Sequence, residues 1–191
     1  MKSSRILYII YMAVMFFVVG VIAVTPLIAF QDEGTSEVLY KVFSPACHQK
    51  LSRSLCLFQS ESGYFISDCT PQTGVFVPND TDILSSEIDG IKGYKFPVCS
   101  RDVALYLAMF IGGIVYPFIR KIEEKKMLPA IYFIVAISPI ALDGVVQLAS
   151  LVGILPPYES TNLIRMVTGG LAGFAAAIYI IPIIMGLFSK D

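Results

Sequence analysis

The sequence predicts an all-α membrane protein, a four-transmembrane-helix bundle with a disulfide-stapled extracytoplasmic loop between its first and second spanning helices. Hydrophobic residues make up 55% of the 191 residues and charged residues only 15%, whereas about a quarter of a soluble protein is charged. Four segments approach the roughly 20 apolar residues that a membrane crossing requires, and all four cysteines lie in or beside the loop between the first two. The formal net charge of −1, without a long charged block, argues against a nucleic-acid partner.

The first two spans differ in length. The first runs from Ile6 to Phe30 without a charged residue, which exceeds the ~7–15-residue apolar region of a secretory signal peptide, so we interpret it as a retained helix. The second has an uncharged run of 17 residues, Val103 to Ile119. Because this run is slightly short for a full crossing, we expect its helix to extend back to Cys99–Asp102.

The third and fourth spans each contain one charged residue. The third extends from near Met127 to about Val152 and includes Asp143, and the fourth extends from Thr161 to Phe188 and includes Arg165. An ionised side chain at mid-membrane costs roughly 2.5–3.5 kcal/mol on insertion scales. We therefore expect each of these two charged side chains either to pair with another polar group or to belong to a binding site.

Short basic flanks predict the orientation in the cell membrane, because such flanks stay in the cytoplasm. They are Lys2 and Arg5, then Arg120, Lys121, Lys125 and Lys126, and finally Lys190. Both termini are thus predicted to be cytoplasmic. The predicted organisation is a first transmembrane helix at 1–30, an extracytoplasmic cap at 31–98, and transmembrane helices two to four at 99–191.

The cap is rich in aromatic and β-branched residues, which predicts a small folded unit. Short strands are expected around Tyr64–Ser67 and Gly74–Val77, and Asp82–Asp89 is expected to be a short polar helix or a turn. Asn79 begins an N-x-[ST] tripeptide, the acceptor pattern for N-glycosylation.

Small residues and prolines indicate how the bundle packs. Gly169 and Gly173 have the G-x-x-x-G spacing that permits a tight helix crossing in lipid. Pro117, Pro139 and Pro182 are expected to bend their helices or to lie near helix ends.

Cysteines and the only histidine are the candidates for a disulfide or metal site. An oxidising compartment favours two disulfides among Cys47, Cys56, Cys69 and Cys99, and three pairings are possible. His48 follows Cys47 and is either a hydrogen-bonded structural residue or part of a metal site with Cys47, Cys99 and Asp102. These residues lack the C-x-x-C spacing typical of zinc sites, so no metal and no cofactor are predicted.

A polar cluster is predicted near the outer ends of the helices. By the helical rise, Asp143 and Arg165 fall in the same leaflet, with Gln147 one turn above Asp143 and Asn162 one turn before Arg165. One hypothesis is a buried ion pair that fixes helix register. The other is a binding site in which Arg165 and Arg101 hold a phosphate or carboxylate. The candidate polar site comprises His48, Arg53, Arg101, Asp102, Asp143, Gln147, Asn162 and Arg165.

Several short motifs resemble those of a family of small prokaryotic membrane proteins of unknown function. The motifs are Cys47-His48-Gln49, Arg53-Ser54, Pro97-Val98-Cys99-Ser100-Arg101, Asp143-Gly144 with Gln147, and Glu159-Ser160 with Asn162, Arg165 and Thr168-Gly169. In that family a second cysteine stands where this chain has Asp102, and the family's set looks able to bind metal. The departure implies instead that Cys47 pairs with Cys99 and Cys56 with Cys69.

The resemblance brings no established activity, so function is predicted from architecture. Glycine-lined helices and a stapled cap favour an accessory or assembly subunit of a larger membrane complex, whose partners are the lipid bilayer and other membrane subunits. The alternative is an outer-leaflet enzyme or binding protein for a polar or phosphorylated lipid or a metal, using His48, Arg101, Asp143 and Arg165. Whether the protein is an enzyme stays open.

Overall fold

Four helices of spanning length dominate the structure, a computed structural model that describes residues 3–45, 47, 50–75 and 83–188. In chain order the helices of this part are α1 (Ser3–Ala29), α2 (Glu33–Phe43), α3 (Ser100–Ile119), α4 (Ala130–Leu151) and α5 (Asn162–Phe188). All but the short α2 are long and apolar enough to cross a membrane, which confirms the four predicted spans. The second span does begin before Val103, at Ser100.

The all-α label is only partly right, because the cap, residues 31–98, contains a four-stranded antiparallel sheet. Its strands are β1 (Leu55–Ser60), β2 (Gly63–Asp68), β3 (Ser85–Ile88) and β4 (Ile91–Lys95), in the spatial order β2-β1-β4-β3. Phe58 in the central strand β1 is fully buried and lies opposite Gly93 of β4. The sheet thus has its own small core beneath the disulfide-bonded segment.

Two predictions for the cap need correction. The stretch up to Asp89 is neither a polar helix nor a simple turn, because Ser85–Ile88 forms β3 and pairs with β4. Asp89 and Gly90 close this hairpin with positive φ angles of 51° and 78°, the backbone that a two-residue Asp-Gly turn adopts readily. Gly74 and Val75, predicted to begin a strand, form a bend, and residues 76–82, including Asn79, lie outside the described residues.

Helix α2 follows α1 after a short turn and packs against the sheet of the cap. Asp32 caps its first turn, since one carboxylate oxygen accepts the N–H of Gly34 at 3.0 Å. Tyr40 is 2% exposed and donates its hydroxyl to the backbone oxygen of Lys95. The ammonium of Lys95, itself fully buried, lies 5.9 Å from the centroid of the Tyr40 ring. The sequence indicated neither this helix nor the burial of Lys95.

Helices α3 and α5 form the closest crossing of the bundle. Gly169 and Gly173 lie directly against the backbone of Arg101 and Leu105 on α3, and a Cβ atom at either glycine would overlap a backbone carbonyl. A Cβ atom at Gly112 on α3 would lie 2.7 Å from the Cβ atom of Ala177 on α5. The approach is therefore possible only because these positions carry no side chain.

Side-chain hydroxyls satisfy two carbonyls that prolines leave without a helical donor. A proline has no N–H for the carbonyl four residues earlier, which for Pro117 is that of Gly113. The hydroxyl of Tyr8 on α1 donates to this oxygen at 2.8 Å. In α4, Ser138 donates to the backbone oxygen of Val135 at 2.9 Å, the carbonyl that Pro139 leaves open. In lipid such groups must be satisfied within the protein.

Replacing Tyr8 by phenylalanine tests the first of these bonds. The carbonyl of Gly113 would lose its donor, and we expect about 1–2 kcal/mol lower stability of the folded protein. Thermal unfolding of the protein in detergent measures the effect. Tyr132→Phe is the matched control, because Tyr132 is 62% exposed on α4. Equal unfolding temperatures for the two variants would contradict the proposed role of Tyr8.

Candidate functional site

Polar side chains from the cap and from three helices meet where the cap rests on the bundle. We call this set the polar network. Its members are Arg53 in the turn Leu51–Arg53, Arg101 on α3, Asp143 and Gln147 on α4, Glu159 and Ser160 in the turn before α5, and Asn162 and Arg165 on α5. Of the other candidate residues, Asp102 lies apart from the network and His48 lies outside the described residues.

Arg165 is the most deeply buried charge of the network, with 2% of its surface exposed. Its Nη2 donates to Oε1 of Gln147 at 2.9 Å and lies 3.4 Å from Oε1 of Glu159. Its Nε donates to the backbone oxygen of Ser160 at 3.0 Å. The guanidinium is therefore held by α4 and by the turn that leads into its own helix.

Asp143 is 8% exposed and is surrounded by donors. It forms an ion pair with Arg101 at the start of α3. Its Oδ2 also accepts hydrogen bonds from Nε2 of Gln147 at 2.7 Å and from the hydroxyl of Ser160 at 3.1 Å. Asp143 therefore bonds to α3, to the turn before α5 and to its own helix.

The direct pair considered between Asp143 and Arg165 is absent from the described ion pairs. Gln147 lies between the two instead, because its amide accepts from Arg165 and donates to Asp143. Each charge has its own counter-ion: Arg101 for Asp143 and Glu159 for Arg165. The pairing differs from the expectation because the turn before α5 supplies a second carboxylate, that of Glu159, which the candidate site did not include.

Glu159 is the important residue that sequence reasoning did not include in the site. It is 6% exposed and pairs with both Arg53 of the cap and Arg165 of α5. The signal that could have found it is charge balance, since the candidate site set three arginines against only two carboxylates, those of Asp102 and Asp143.

Asn162 joins four parts of the chain and is 1% exposed. Its Nδ2 donates to Oδ1 of Asp68 at 2.8 Å and to the backbone oxygen of Ser54 at 3.2 Å. Its Oδ1 accepts the hydroxyl of Ser100 at 2.8 Å, and its backbone N–H donates to Gln72 at 3.1 Å. The start of α5 is thus bonded to the cap and to the start of α3.

A small cavity lies beside the network among the residues that the structure describes. This cavity of about 10 Å³ lies between the cap and the turn before α5, lined in part by Ser52, Gln72, Glu159 and Ser160. This volume suits a single water molecule. Among the described residues no acceptor meets the buried Nε of Arg101. A bound lipid headgroup would require the network to open.

The cysteines form one disulfide and one pair of neighbouring thiols. Cys56 of β1 is bonded to Cys69, 13 residues later, and both are buried. The second predicted disulfide is not formed, and Cys47 and Cys99 remain thiols. The structure differs here from the prediction because the Cys99 thiol donates to Oδ2 of Asp102 at 3.2 Å, while Cys47 Sγ accepts the backbone N–H of Cys99 at 3.2 Å.

The surroundings of Cys99 keep it protonated. A hydrogen bond with Cys47, burial, and the nearby Cys47 and Asp102 groups together raise the pKa of the Cys99 thiol above its ordinary value. A neutral thiol is consistent with its role as the donor to Asp102. The potential ligand atoms of Cys47, Cys99 and Asp102 all lie within 4.8 Å of one another.

Comparisons with known proteins place the chain in a family of predicted membrane proteins. A family model described as "Predicted membrane protein (DUF2085)" matches residues 90–179, which include Arg101, Asp143 and Arg165. An uncharacterized protein of Methanocaldococcus jannaschii is 32% identical over 152 residues, which are 80% of this chain and 72% of that protein. No solved structure matches the chain. The chain therefore belongs to the DUF2085 family of predicted membrane proteins.

Proposed function

We propose that this protein is an accessory or assembly subunit of a larger membrane complex, with its cap outside the cytoplasm and both termini inside. The observation that carries the proposal is the closed polar network. Its buried charges, those of Asp143, Glu159 and Arg165, are each paired within the chain. Apart from the Nε of Arg101, the described members of the network satisfy one another. The network joins the cap to the helices, and its buried charges are used within the described part of the chain.

The alternative, an outer-leaflet enzyme or binding protein for a phosphorylated lipid, has less support. Arg101 and Arg165 would have to release Asp143 and Glu159 before they could hold a phosphate. Removing one partner of a buried ion pair costs about 3–5 kcal/mol, and the cavity beside the network has room for only about one water molecule. The alternative also uses His48, which lies outside the described residues.

Helix α4 is the surface best suited to a partner subunit. It packs mainly against α5, and apolar side chains towards both of its ends are exposed. The exposed side chains recur at helical spacing: Tyr132, Val135, Leu142 and Val145. These exposed apolar side chains accommodate either lipid or a neighbouring helix, and the proposal assigns them to a neighbouring helix.

Photo-crosslinking in the native membrane tests this assignment. A photoreactive residue at Leu142, which is 65% exposed, should give a discrete covalent product with a second protein. The matched control is Ile181 on α5, which is 1% exposed and should crosslink only within the chain. If Leu142 captured only lipid, and the protein purified in mild detergent as a single species, the subunit proposal would fail.

A further inference from the structure

Two thiols and a carboxylate converge at the start of α3, outside the polar network. Cys47 follows α2, whereas Cys99 directly precedes α3 and Asp102 lies in its first turn. The three ligand atoms lie within 4.8 Å of one another although Cys47 and Cys99 are 52 residues apart. Only the folded cap brings them together.

We propose that Cys47, Cys99 and Asp102 bind one divalent transition-metal ion of the zinc class. Zinc–sulfur bonds of about 2.3 Å and zinc–oxygen bonds of about 2.0–2.2 Å place tetrahedral ligand atoms roughly 3.5–3.8 Å apart. The present spacing therefore needs shifts of about 1 Å at most to reach that geometry. Three protein ligands are also the number found in zinc sites that keep one position open.

The carboxylate distinguishes a metal site from a disulfide. A disulfide between Cys47 and Cys99 would remove the thiol that now donates to Asp102 and leave a half-buried carboxylate without that partner. A metal ion uses all three groups. Thiolate ligands also select zinc-like ions over magnesium and calcium, which prefer sites built entirely from oxygen.

Binding changes protonation but not oxidation state. The metal ion forms bonds to both sulfurs and to one carboxylate oxygen, and the two thiol protons leave to solvent. The filled site carries one net negative charge. The amino-terminal end of α3 bears the positive end of the helix dipole, which offsets this charge.

Cobalt titration of the full-length protein in detergent, after mild reduction, tests the site. We expect one equivalent of Co²⁺ to bind, with the near-ultraviolet thiolate-to-cobalt absorption and the strong visible bands of tetrahedral cobalt, and Zn²⁺ to displace it. Cys47→Ser and Cys99→Ser should each weaken the thiolate absorption. Asp102→Asn should keep the thiolate absorption and lower the affinity at least about 10-fold.

Controls separate loss of the site from loss of the fold. Glu61→Gln, in an exposed turn between β1 and β2, should bind as the wild type does. Thermal unfolding of each variant without metal shows whether it is folded. Unchanged cobalt spectra in folded Cys47→Ser would overturn the proposal, and so would no uptake by the reduced wild type together with a Cys47–Cys99 disulfide in the protein as isolated. Neither outcome bears on the subunit proposal, whose readout is crosslinking.

Discussion

Replacing Arg165 by leucine is expected to destabilise the folded protein by about 3–5 kcal/mol, the cost of leaving a buried ion pair with one partner. Glu159 would keep only Arg53, and Gln147 and the backbone oxygen of Ser160 would lose their donor. Most of the variant should be lost to degradation or aggregation. The measurements are the yield of monodisperse protein from membranes and the thermal unfolding temperature in detergent.

Lys92→Ala is the control for this experiment. Lys92 also forms an ion pair, with Glu33 at 2.9 Å, but more than half of each side chain is exposed. Water and salt screen such a pair, so its removal should change yield and unfolding temperature little. Comparable values for Arg165→Leu and Lys92→Ala would refute a stabilising role for the polar network.

The second large effect is expected from Gly173→Val. The new side chain would overlap the backbone of Leu105, so α3 and α5 would have to separate. Overpacking typically costs about 1–3 kcal/mol, and a clash with backbone cannot be relieved by a rotamer change, so we expect the upper end of this range or more. Thermal unfolding and the yield of folded protein report the effect.

Gly170→Val provides a matched control on the same helix. A Cβ atom at Gly170 meets nothing within 4 Å, while the change in intrinsic helix propensity is the same as at Gly173. The Gly170 variant should therefore be at least as stable as the wild type. Should both variants lose stability equally, the close crossing of α3 and α5 would not be what makes Gly173 necessary.

The spanning helices were predictable because hydrophobic length alone decides them. The expected segment from Thr161 to Phe188 became α5 (Asn162–Phe188), and the run that had to extend before Val103 became α3 (Ser100–Ile119). The bilayer imposes one strong requirement, about 20 apolar residues in a helix. Each segment meets this requirement by its own composition, so its identification does not depend on contacts elsewhere in the fold.

The cap was less predictable because its elements depend on contacts with each other. Only β2 (Gly63–Asp68) was anticipated. The strand β4 (Ile91–Lys95) contains a glycine and two lysines, and it forms because Gly93 leaves room for Phe58. The turn Asp89-Gly90 was the one local signal for the second hairpin.

Within the site, residue type and helical spacing indicated which side chains would gather but not how they would pair. Periodicity places Asp143 and Gln147 on one face of α4 and Arg165 near the start of α5. The ion-pair partners of these two charges come from elsewhere in the chain. Arg101 of α3 pairs with Asp143, and Glu159 of the turn before α5 pairs with Arg165. Glu159 lies in a turn with no helical periodicity to predict its direction, and contact with Arg53 of the cap helps to bury it.

The bond from Tyr8 to the carbonyl beside Pro117 also bears on biogenesis. The chain is made from its amino terminus, so α1 reaches the bilayer before α3 does. The Tyr8 hydroxyl is then in the bilayer before the segment of α3 that contains Pro117 is inserted. Moving α1 to the end of the chain by circular permutation would reverse that order and leave the carbonyl facing hydrocarbon during insertion.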